Sequence, residues 1–196
     1  MFDYSTIKLP SEEFRNWSNS QSPDFSFLPN STIQTVLIAD EEAEVREALS
    51  VAVRRWAQEE QRNVEIIVIE NGKKAVDYLK QVNHQNRPFL AILDLRMPKM
   101  NGLESAQIFR RIYPEMPIII TASHDEIDEQ LIQEADDFAN QNPSMGFVIR
   151  TKSSSLLKVA LEFEIRKLVL SEDELTPENR GVFHKFQGTL SQLLKF

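Results

Sequence analysis

Five short apolar segments, separated by stretches of helical periodicity, limit what this chain can fold into. The segments are TVLIA, VEIIVI, FLAILD, PIIITA and GFVIR, at 35–39, 64–69, 89–94, 117–122 and 146–150. Their apolar residues run continuously, which is typical of strands buried on both faces of a parallel sheet. Parallel strands need crossover connections, usually helices, and these crossovers are right-handed. The sequence therefore predicts an α/β fold: a doubly wound, five-stranded parallel sheet with helices on both faces.

The stretches between these segments carry apolar residues at helical spacing. After the first segment, one helical face collects Val45, Leu49, Ala52, Val53 and Trp56. In the last stretch, 155–170, apolar residues occupy more than one face of the predicted helix. Most of that apolar surface is expected in the core, but it leaves room for a contact between two copies of the chain.

The two ends of the chain differ in composition from the region between them. Residues 1–33 are polar but contain aromatic and large apolar side chains, and we expect this N-terminal arm to pack on its own domain. Residues 34–170 form the predicted domain. The tail at 171–196 contains Thr176-Pro177, a typical helix start, followed by apolar residues on one face, and is predicted to be helical.

Composition excludes several classes of function. The net charge is −8 at pH 7, so the chain should repel phosphate backbones, and we expect no direct nucleic-acid partner. No apolar run approaches the roughly 18 residues of a membrane span, and the N-terminus does not resemble a signal peptide. Cysteine is absent, which fits a reducing cytoplasm. The expectation is a cytoplasmic protein without membrane contact.

Polar residues follow the apolar segments at the points where strands should end. Asp40-Glu41 follow the first segment, Asp94 ends the third, Thr121-Ala122 end the fourth, and Arg150 ends the fifth with Lys152 two residues later. Ligands of open parallel sheets bind outside the carboxyl ends of the strands. The sequence therefore predicts that carboxylates, a hydroxyl and a cation meet at one edge of the sheet.

The segment after Asp94 reads LRMPKMNG and has restricted backbone freedom. Pro98 fixes its own φ and biases Met97 towards extended geometry, while Gly102 suits a tight loop. A stiff loop of this kind would keep the backbone carbonyl of Arg96 in a fixed direction.

Each of these residues also has a simpler explanation. Asp94 alone can cap a turn, Thr121 alone is an ordinary strand residue, and Asp40 and Glu41 suit the start of a helix through its dipole. The arrangement on neighbouring strand ends, rather than any single residue, favours a functional site.

The chain resembles the receiver domain of two-component response regulators. Four segments carry the resemblance in the same order: LIADEE, AILDLRMPKMNGLE, IIITAS and GFVIR. The resemblance covers about 34–170. It implies a flavodoxin-like sheet with strand order 2-1-3-4-5. It also implies that the protein is not an enzyme but accepts a phosphoryl group.

The resemblance implies a role for each of the strand-end residues. Asp94 would be the phosphoacceptor. Mg2+ would be held by the side chains of Asp40, Glu41 and Asp94 and by the backbone carbonyl of Arg96. The switch and phosphate-binding positions would be Thr121, Ala122, Phe147, Arg150 and Lys152.

One departure from the family concerns the cation. The family has lysine at the end of the fifth strand, where this chain has Arg150 followed by Thr151. Arginine keeps the charge but is bulkier and is not interchangeable with lysine. Either Arg150 or Lys152 could fill the lysine position.

Three functions are consistent with these residues. The favoured one is a stand-alone receiver, phosphorylated on Asp94 by a histidine kinase or phosphotransfer protein and acting through contacts with an output protein. The alternative is a pseudo-receiver, an interaction module that phosphorylation does not switch. An aspartate-dependent phosphatase is disfavoured because such enzymes carry a second aspartate two residues after the nucleophile, where this chain has Arg96.

Overall fold

The computed structural model describes residues 33–123, 128–150 and 154–169. The predicted N-terminal arm at 1–33, apart from Ile33, lies outside the described residues. The helical tail at 171–196 and Lys152 also lie outside them, so these assignments stay predictions.

In these described ranges, five strands alternate with five helices. In chain order they are β1 (Gln34–Ala39), α1 (Ala43–Glu59), β2 (Val64–Ile69), α2 (Gly72–Gln81), β3 (Leu90–Asp94), α3 (Gly102–Ile112), β4 (Ile118–Ser123), α4 (Glu129–Asn140), β5 (Met145–Arg150) and α5 (Ser154–Val169). All strand pairs are parallel, and the sheet order is β2-β1-β3-β4-β5. The predicted fold class and strand order are confirmed.

The sheet separates two apolar cores because alternate strand residues point to opposite faces. In β1, Leu37 and Ala39 join one core with residues of α2, α3 and α4. Val36 and Ile38 join the other, which contains Trp56 of α1 and residues of α5. Every residue of β3 is buried. The central strands are covered on both faces, which explains why their sequences are continuously apolar.

Side-chain caps fix where three of the helices begin. The side chain of Asn71 accepts from the Lys74 N–H at 2.9 Å at the start of α2. Asn101 and Glu104 form a reciprocal capping box at the start of α3. Asp128 accepts from the Leu131 N–H at 3.2 Å at the start of α4. These caps satisfy free N–H groups of the first helical turn, next to the carboxyl edge of the sheet.

Helix α5 is buried over six consecutive residues, 161–166, including Glu162, Glu164 and Arg166. Arg166 donates to the carboxylate of Glu60 at 2.7 Å, and Lys167 donates to that of Glu164 at 3.0 Å. The buried charges of this helix therefore have partners of opposite sign. Within the part of the chain that the structure describes, no helix is both long and apolar enough to cross a bilayer.

The loop between β3 and α3 is closed by two backbone hydrogen bonds. Leu95 N–H donates to the carbonyl of Thr121 at 2.7 Å, and Gly102 N–H donates to the carbonyl of Leu95 at 2.9 Å. A Cβ at Gly102 would lie 2.2 Å from the carbonyl oxygen of Asp94. Only glycine lets the chain pass so close, and this explains Gly102 in the stiff loop predicted from the sequence.

Replacing Gly102 with alanine should therefore destabilise the domain. The added Cβ overlaps backbone atoms that cannot rotate away, and we expect Gly102→Ala to lower the free energy of unfolding by about 2 kcal/mol in urea denaturation. The control is Gln107→Ala at an exposed position of α3. Its effect should stay within about 0.5 kcal/mol. Equal stabilities of the two variants would contradict this account of the loop.

Candidate functional site

The carboxyl edge of the sheet brings together side chains from four strands or their ends. Asp40 directly follows β1, Asp94 ends β3, Thr121 lies in β4, and Arg150 ends β5. Because β1 and β3 are hydrogen-bonded neighbours, their terminal carboxylates share one region of the edge. Asp40 is fully buried and Asp94 is 3% exposed.

A single guanidinium joins the two aspartates. Nη1 of Arg150 donates to Oδ2 of Asp40 at 2.5 Å, and Nη2 donates to Oδ1 of Asp94 at 2.8 Å. The Arg150 side chain is 9% exposed, so both ion pairs lie in a largely water-free environment. Its third nitrogen, Nε, is buried and has no hydrogen-bond partner among the residues that the structure describes. Charge-assisted bonds of this kind are stronger than neutral ones.

Backbone N–H groups bind the remaining carboxylate oxygens. The Glu42 N–H donates to Oδ1 of Asp40 at 2.8 Å, and the Arg96 N–H donates to Oδ2 of Asp94 at 3.0 Å. All four oxygens of the two aspartates therefore have a donor. This arrangement fixes the orientation of both carboxylates before any ligand arrives.

Arg46 of α1 also contributes, although the sequence analysis did not select it. Its Nη1 donates to the backbone carbonyl oxygens of Asp40 at 2.8 Å and Glu41 at 2.9 Å. This contact holds the turn between β1 and α1. A basic residue one turn inside the helix that follows an acidic pair is the sequence signal that could have indicated it.

The electrostatic balance of the site is unfavourable to two ionised aspartates. The pKa of Asp94 is raised to about 7, first by burial and next by the neighbouring Asp40, while Arg150 opposes the shift. Burial likewise raises the pKa of Asp40, against the lowering effect of Arg150. One guanidinium therefore neutralises only part of the charge of two buried carboxylates.

Thr121 lies beside Asp94 in the sheet. The two residues are register partners across β3 and β4, and Thr121 is fully buried. Its hydroxyl oxygen has no hydrogen-bond partner among the described residues. A buried hydroxyl without a partner costs stability, and its donor is free to bind an acceptor that enters the site.

The other residues selected from the sequence are distributed around this centre. Ala122 is buried, whereas Phe147 is half-buried and packs against the core beneath α2, α3 and α4. The side chains of Glu41 and Arg96 are exposed. In the described ranges, no three histidine, cysteine or acidic side chains are grouped closely enough to hold a metal. The assignment of Glu41 to a metal site stays a prediction.

A surface pocket opens next to Asp94. Its lining includes the predicted residues Glu41, Arg96, Ala122 and Arg150, together with six that the sequence analysis did not select: Glu42, Leu95, Ser123, Asp128, Leu131 and Ile132. The missed residues of β4 and α4 follow the chosen Thr121-Ala122 in sequence. Only the packing of α4 against the sheet brings them to the pocket.

A sequence model of the response regulator receiver domain matches residues 36–141. This match spans more than half of the chain and contains Asp40, Asp94 and Thr121. The chain therefore belongs to the family of response regulator receiver domains. Members of this family are phosphorylation-based signalling modules of two-component systems rather than enzymes in the ordinary sense.

Curated relatives match over the same region. The luminescence regulatory protein LuxO of Vibrio campbellii is 27% identical over 126 residues, which cover 64% of this chain and 26% of LuxO. The autoinducer 1 sensor kinase/phosphatase LuxN of Vibrio harveyi is 33% identical over 119 residues, covering 58% of this chain and 13% of LuxN. The chain thus spans about a quarter, or less, of the length of these relatives.

Solved structures share the fold. A response regulator receiver domain protein of Clostridium thermocellum aligns with TM-score 0.51 and 16% identity, covering 70% of this chain and 99% of that one. The phosphorylated cyanobacterial phytochrome response regulator RcpA aligns with TM-score 0.55 and 18% identity, covering 69% of this chain and 94% of RcpA. At this identity, the comparison supports the fold alone.

The raised pKa of Asp94 predicts a pH-dependent cost of ionisation. Because the folded pKa of about 7 lies above the unfolded value of 3.8, the folded state holds a proton that the unfolded chain has released. The contribution of Asp94 to stability is therefore present below about pH 4 and lost as the pH rises through 7. Asp94→Asn should be more stable than the wild type at pH 8, by roughly 1–3 kcal/mol.

Urea denaturation between about pH 4 and pH 8 measures this effect, and the advantage of Asp94→Asn should grow across the range. Asp137→Asn, at an exposed position of α4, provides a matched removal of one carboxylate and should show no such trend. An advantage of Asp94→Asn that shrinks with rising pH would contradict the electrostatic account.

The unpartnered hydroxyl of Thr121 predicts a second change in stability. Thr121→Val replaces the buried hydroxyl with a methyl group of similar size, and should raise the free energy of unfolding by about 1 kcal/mol. Thermal denaturation without added metal measures it, and Thr121→Ser, which keeps the hydroxyl, serves as the control. A loss of stability in Thr121→Val would mean that the hydroxyl has a partner in solution.

Proposed function

We propose that Asp94 accepts a phosphoryl group from a phosphohistidine of a histidine kinase or phosphotransfer protein, and that the modified domain signals through contacts with another protein. The observation that carries this proposal is the environment of Asp94. Its carboxylate is buried beside Asp40 and bound by Arg150, and it is paired in register with Thr121, whose hydroxyl has no partner in the described part of the chain. These groups supply what a transferred phosphoryl group needs: a nucleophile, a cation and a hydroxyl donor.

The chemistry is an in-line displacement at phosphorus. An oxygen of the ionised Asp94 forms the new P–O bond, the P–N bond of phosphohistidine breaks, and the imidazole nitrogen keeps the electron pair of that bond. The product is an aspartyl phosphate. Positive charge near Asp94 favours the reactive carboxylate form, so Arg150 opposes the effect of burial on its pKa.

Mg2+ fits the donor chemistry of this site. It is usually held by one or two carboxylates together with phosphate oxygens and water, and Asp40 and Asp94 provide two buried carboxylates that share one positive charge. The residues that would hold it are Asp40, Glu41, Asp94 and the backbone carbonyl of Arg96. When bound, it supplies neutralisation of the negative charge on the carboxylates and phosphoryl oxygens.

After phosphorylation, we propose that residues of β4 and β5 carry the change to the surface. The hydroxyl of Thr121 would donate to a phosphoryl oxygen, with Ala122 beside it at the strand end. Phe147 is half-buried in β5 and paired in register with Ile120, one residue before Thr121. We propose that a shift of β4 at Thr121 also moves Ile120, which pairs with Phe147, and so alters the packing of this ring, which an output protein could recognise.

The partners follow from the donor chemistry. LuxN is named a sensor kinase/phosphatase and LuxO a regulatory protein, and the chain resembles a region of each. We propose a donor of the same chemical class and an output protein still to be identified. Because phosphohistidine donors receive their phosphoryl group from ATP, we propose that the transfer to Asp94 takes place in the cytoplasm. The net charge of −8 disfavours direct binding of nucleic acid.

The alternative is a pseudo-receiver that phosphorylation does not switch. The shared contact of Arg150 with Asp40 and Asp94 favours it, because both carboxylates are already neutralised in part without a metal or a phosphoryl group. A phosphorylated receiver would take up a phosphoryl group, whereas a pseudo-receiver would not, so phosphoryl uptake distinguishes the two functions.

Incubation with acetyl phosphate and MgCl2 tests the proposal. Intact-mass spectrometry should show the gain of one phosphoryl group in the wild type and in the control Asp137→Asn, but none in Asp94→Asn. Addition of EDTA should suppress the gain. If the wild type gains no mass at any concentration of donor and Mg2+, the pseudo-receiver is favoured. A gain that persists in Asp94→Asn would exclude Asp94 as the acceptor.

A further inference from the structure

Arg150 occupies the position between the two carboxylates that a divalent cation would have to enter. Its guanidinium contacts Asp40 at 2.5 Å and Asp94 at 2.8 Å, using a different nitrogen for each. Asp40 is fully buried, so it has no outward-facing oxygen available to solvent. A ligand of both carboxylates therefore competes with Arg150 for the same oxygens.

The contact depends on the shape of arginine. The guanidinium presents several N–H donors in a rigid plane, so one side chain can bind two acceptors on different strands at the same time. A lysine ammonium is a single nitrogen on a flexible stem. It would neutralise one carboxylate well and leave the other more exposed to a competing cation.

We propose that Arg150 is a positioning residue that keeps the acidic pair closed to divalent cations until it releases Asp40, and so sets the Mg2+ concentration that the site requires. This inference rests on the proposed phosphoacceptor function and concerns the threshold at which the site becomes competent. Asp94 can keep its contact with Nη2 while Nη1 leaves Asp40, because the two bonds use separate nitrogens.

The buried Nε of Arg150 supports the same arrangement. Within the described ranges this buried donor has no hydrogen-bond partner, and the Arg150 side chain is only 9% exposed. In this arrangement Nη1 and Nη2 each bind a carboxylate while the buried Nε–H lacks a partner among the described residues, which makes the closed arrangement less stable than a fully bonded one. A closed state with such a defect can be opened by a competing cation at a finite concentration.

Isothermal titration calorimetry of the full chain with MgCl2 tests the inference. Arg150→Lys keeps the charge but loses one of the two simultaneous contacts, and should bind Mg2+ about ten-fold more tightly than the wild type. Arg150→Gln also removes the charge and should bind at least as tightly as Arg150→Lys. Arg54→Lys, an exposed arginine-to-lysine change on α1, is the matched control and should bind like the wild type.

A second measurement tests the inference by following Arg150 directly, in addition to the Mg2+ affinity. The Nε–H of Arg150 is buried, so in 15N-labelled protein it should give a slowly exchanging NMR signal. That signal should shift during the Mg2+ titration of the wild type, with the same midpoint as the calorimetric binding curve. The thermal denaturation of each variant shows whether it is folded.

The outcomes separate this inference from the proposed function. Equal or weaker Mg2+ binding by folded Arg150→Lys and Arg150→Gln would overturn it, as would binding that leaves the Arg150 signal unmoved. Absence of Mg2+ binding in every variant would also overturn it. Phosphoryl uptake from acetyl phosphate, measured on the same wild-type preparation, decides the phosphoacceptor function independently.

Discussion

The balance of charge between Asp40, Asp94 and Arg150 is the interaction on which the rest of the site depends. Two carboxylates are buried at neighbouring strand ends, and neither has enough water around it to be ionised at low cost. One guanidinium satisfies an oxygen of each. The remaining negative charge favours the binding of a cation. The imbalance that costs stability is therefore also the basis of the function we propose.

The fold creates this imbalance through its topology. In the order β2-β1-β3-β4-β5, the ends of β1 and β3 are adjacent, while Arg150 comes from the edge strand and reaches over β4 to meet them. The backbone strengthens the arrangement: the Glu42 and Arg96 N–H groups bind the carboxylates, and Gly102 lets α3 begin directly beside Asp94. Strand order and loop closure thus fix both acids in place.

The resemblance to the receiver family implies lysine at the end of the fifth strand, where this chain has Arg150. Arginine and lysine have equal charge but differ in how many acceptors they bind at once. In this structure the guanidinium of Arg150 binds both carboxylates at once. The effect we propose for Arg150 on cation binding follows from this difference in shape, since the charge is the same.

The sequence by itself determined the fold class, because five continuous apolar segments separated by helical periodicity are compatible with few architectures other than a covered parallel sheet. It also determined that Asp40, Asp94, Thr121 and Arg150 would meet, since the carboxyl ends of parallel strands lie at one edge. Only the tertiary structure decided that Arg150 binds both aspartates, that Glu41 points to solvent and that Arg46 holds the first turn. Side-chain direction and long-range pairing depend on burial and on the packing of helices, neither of which a local pattern encodes.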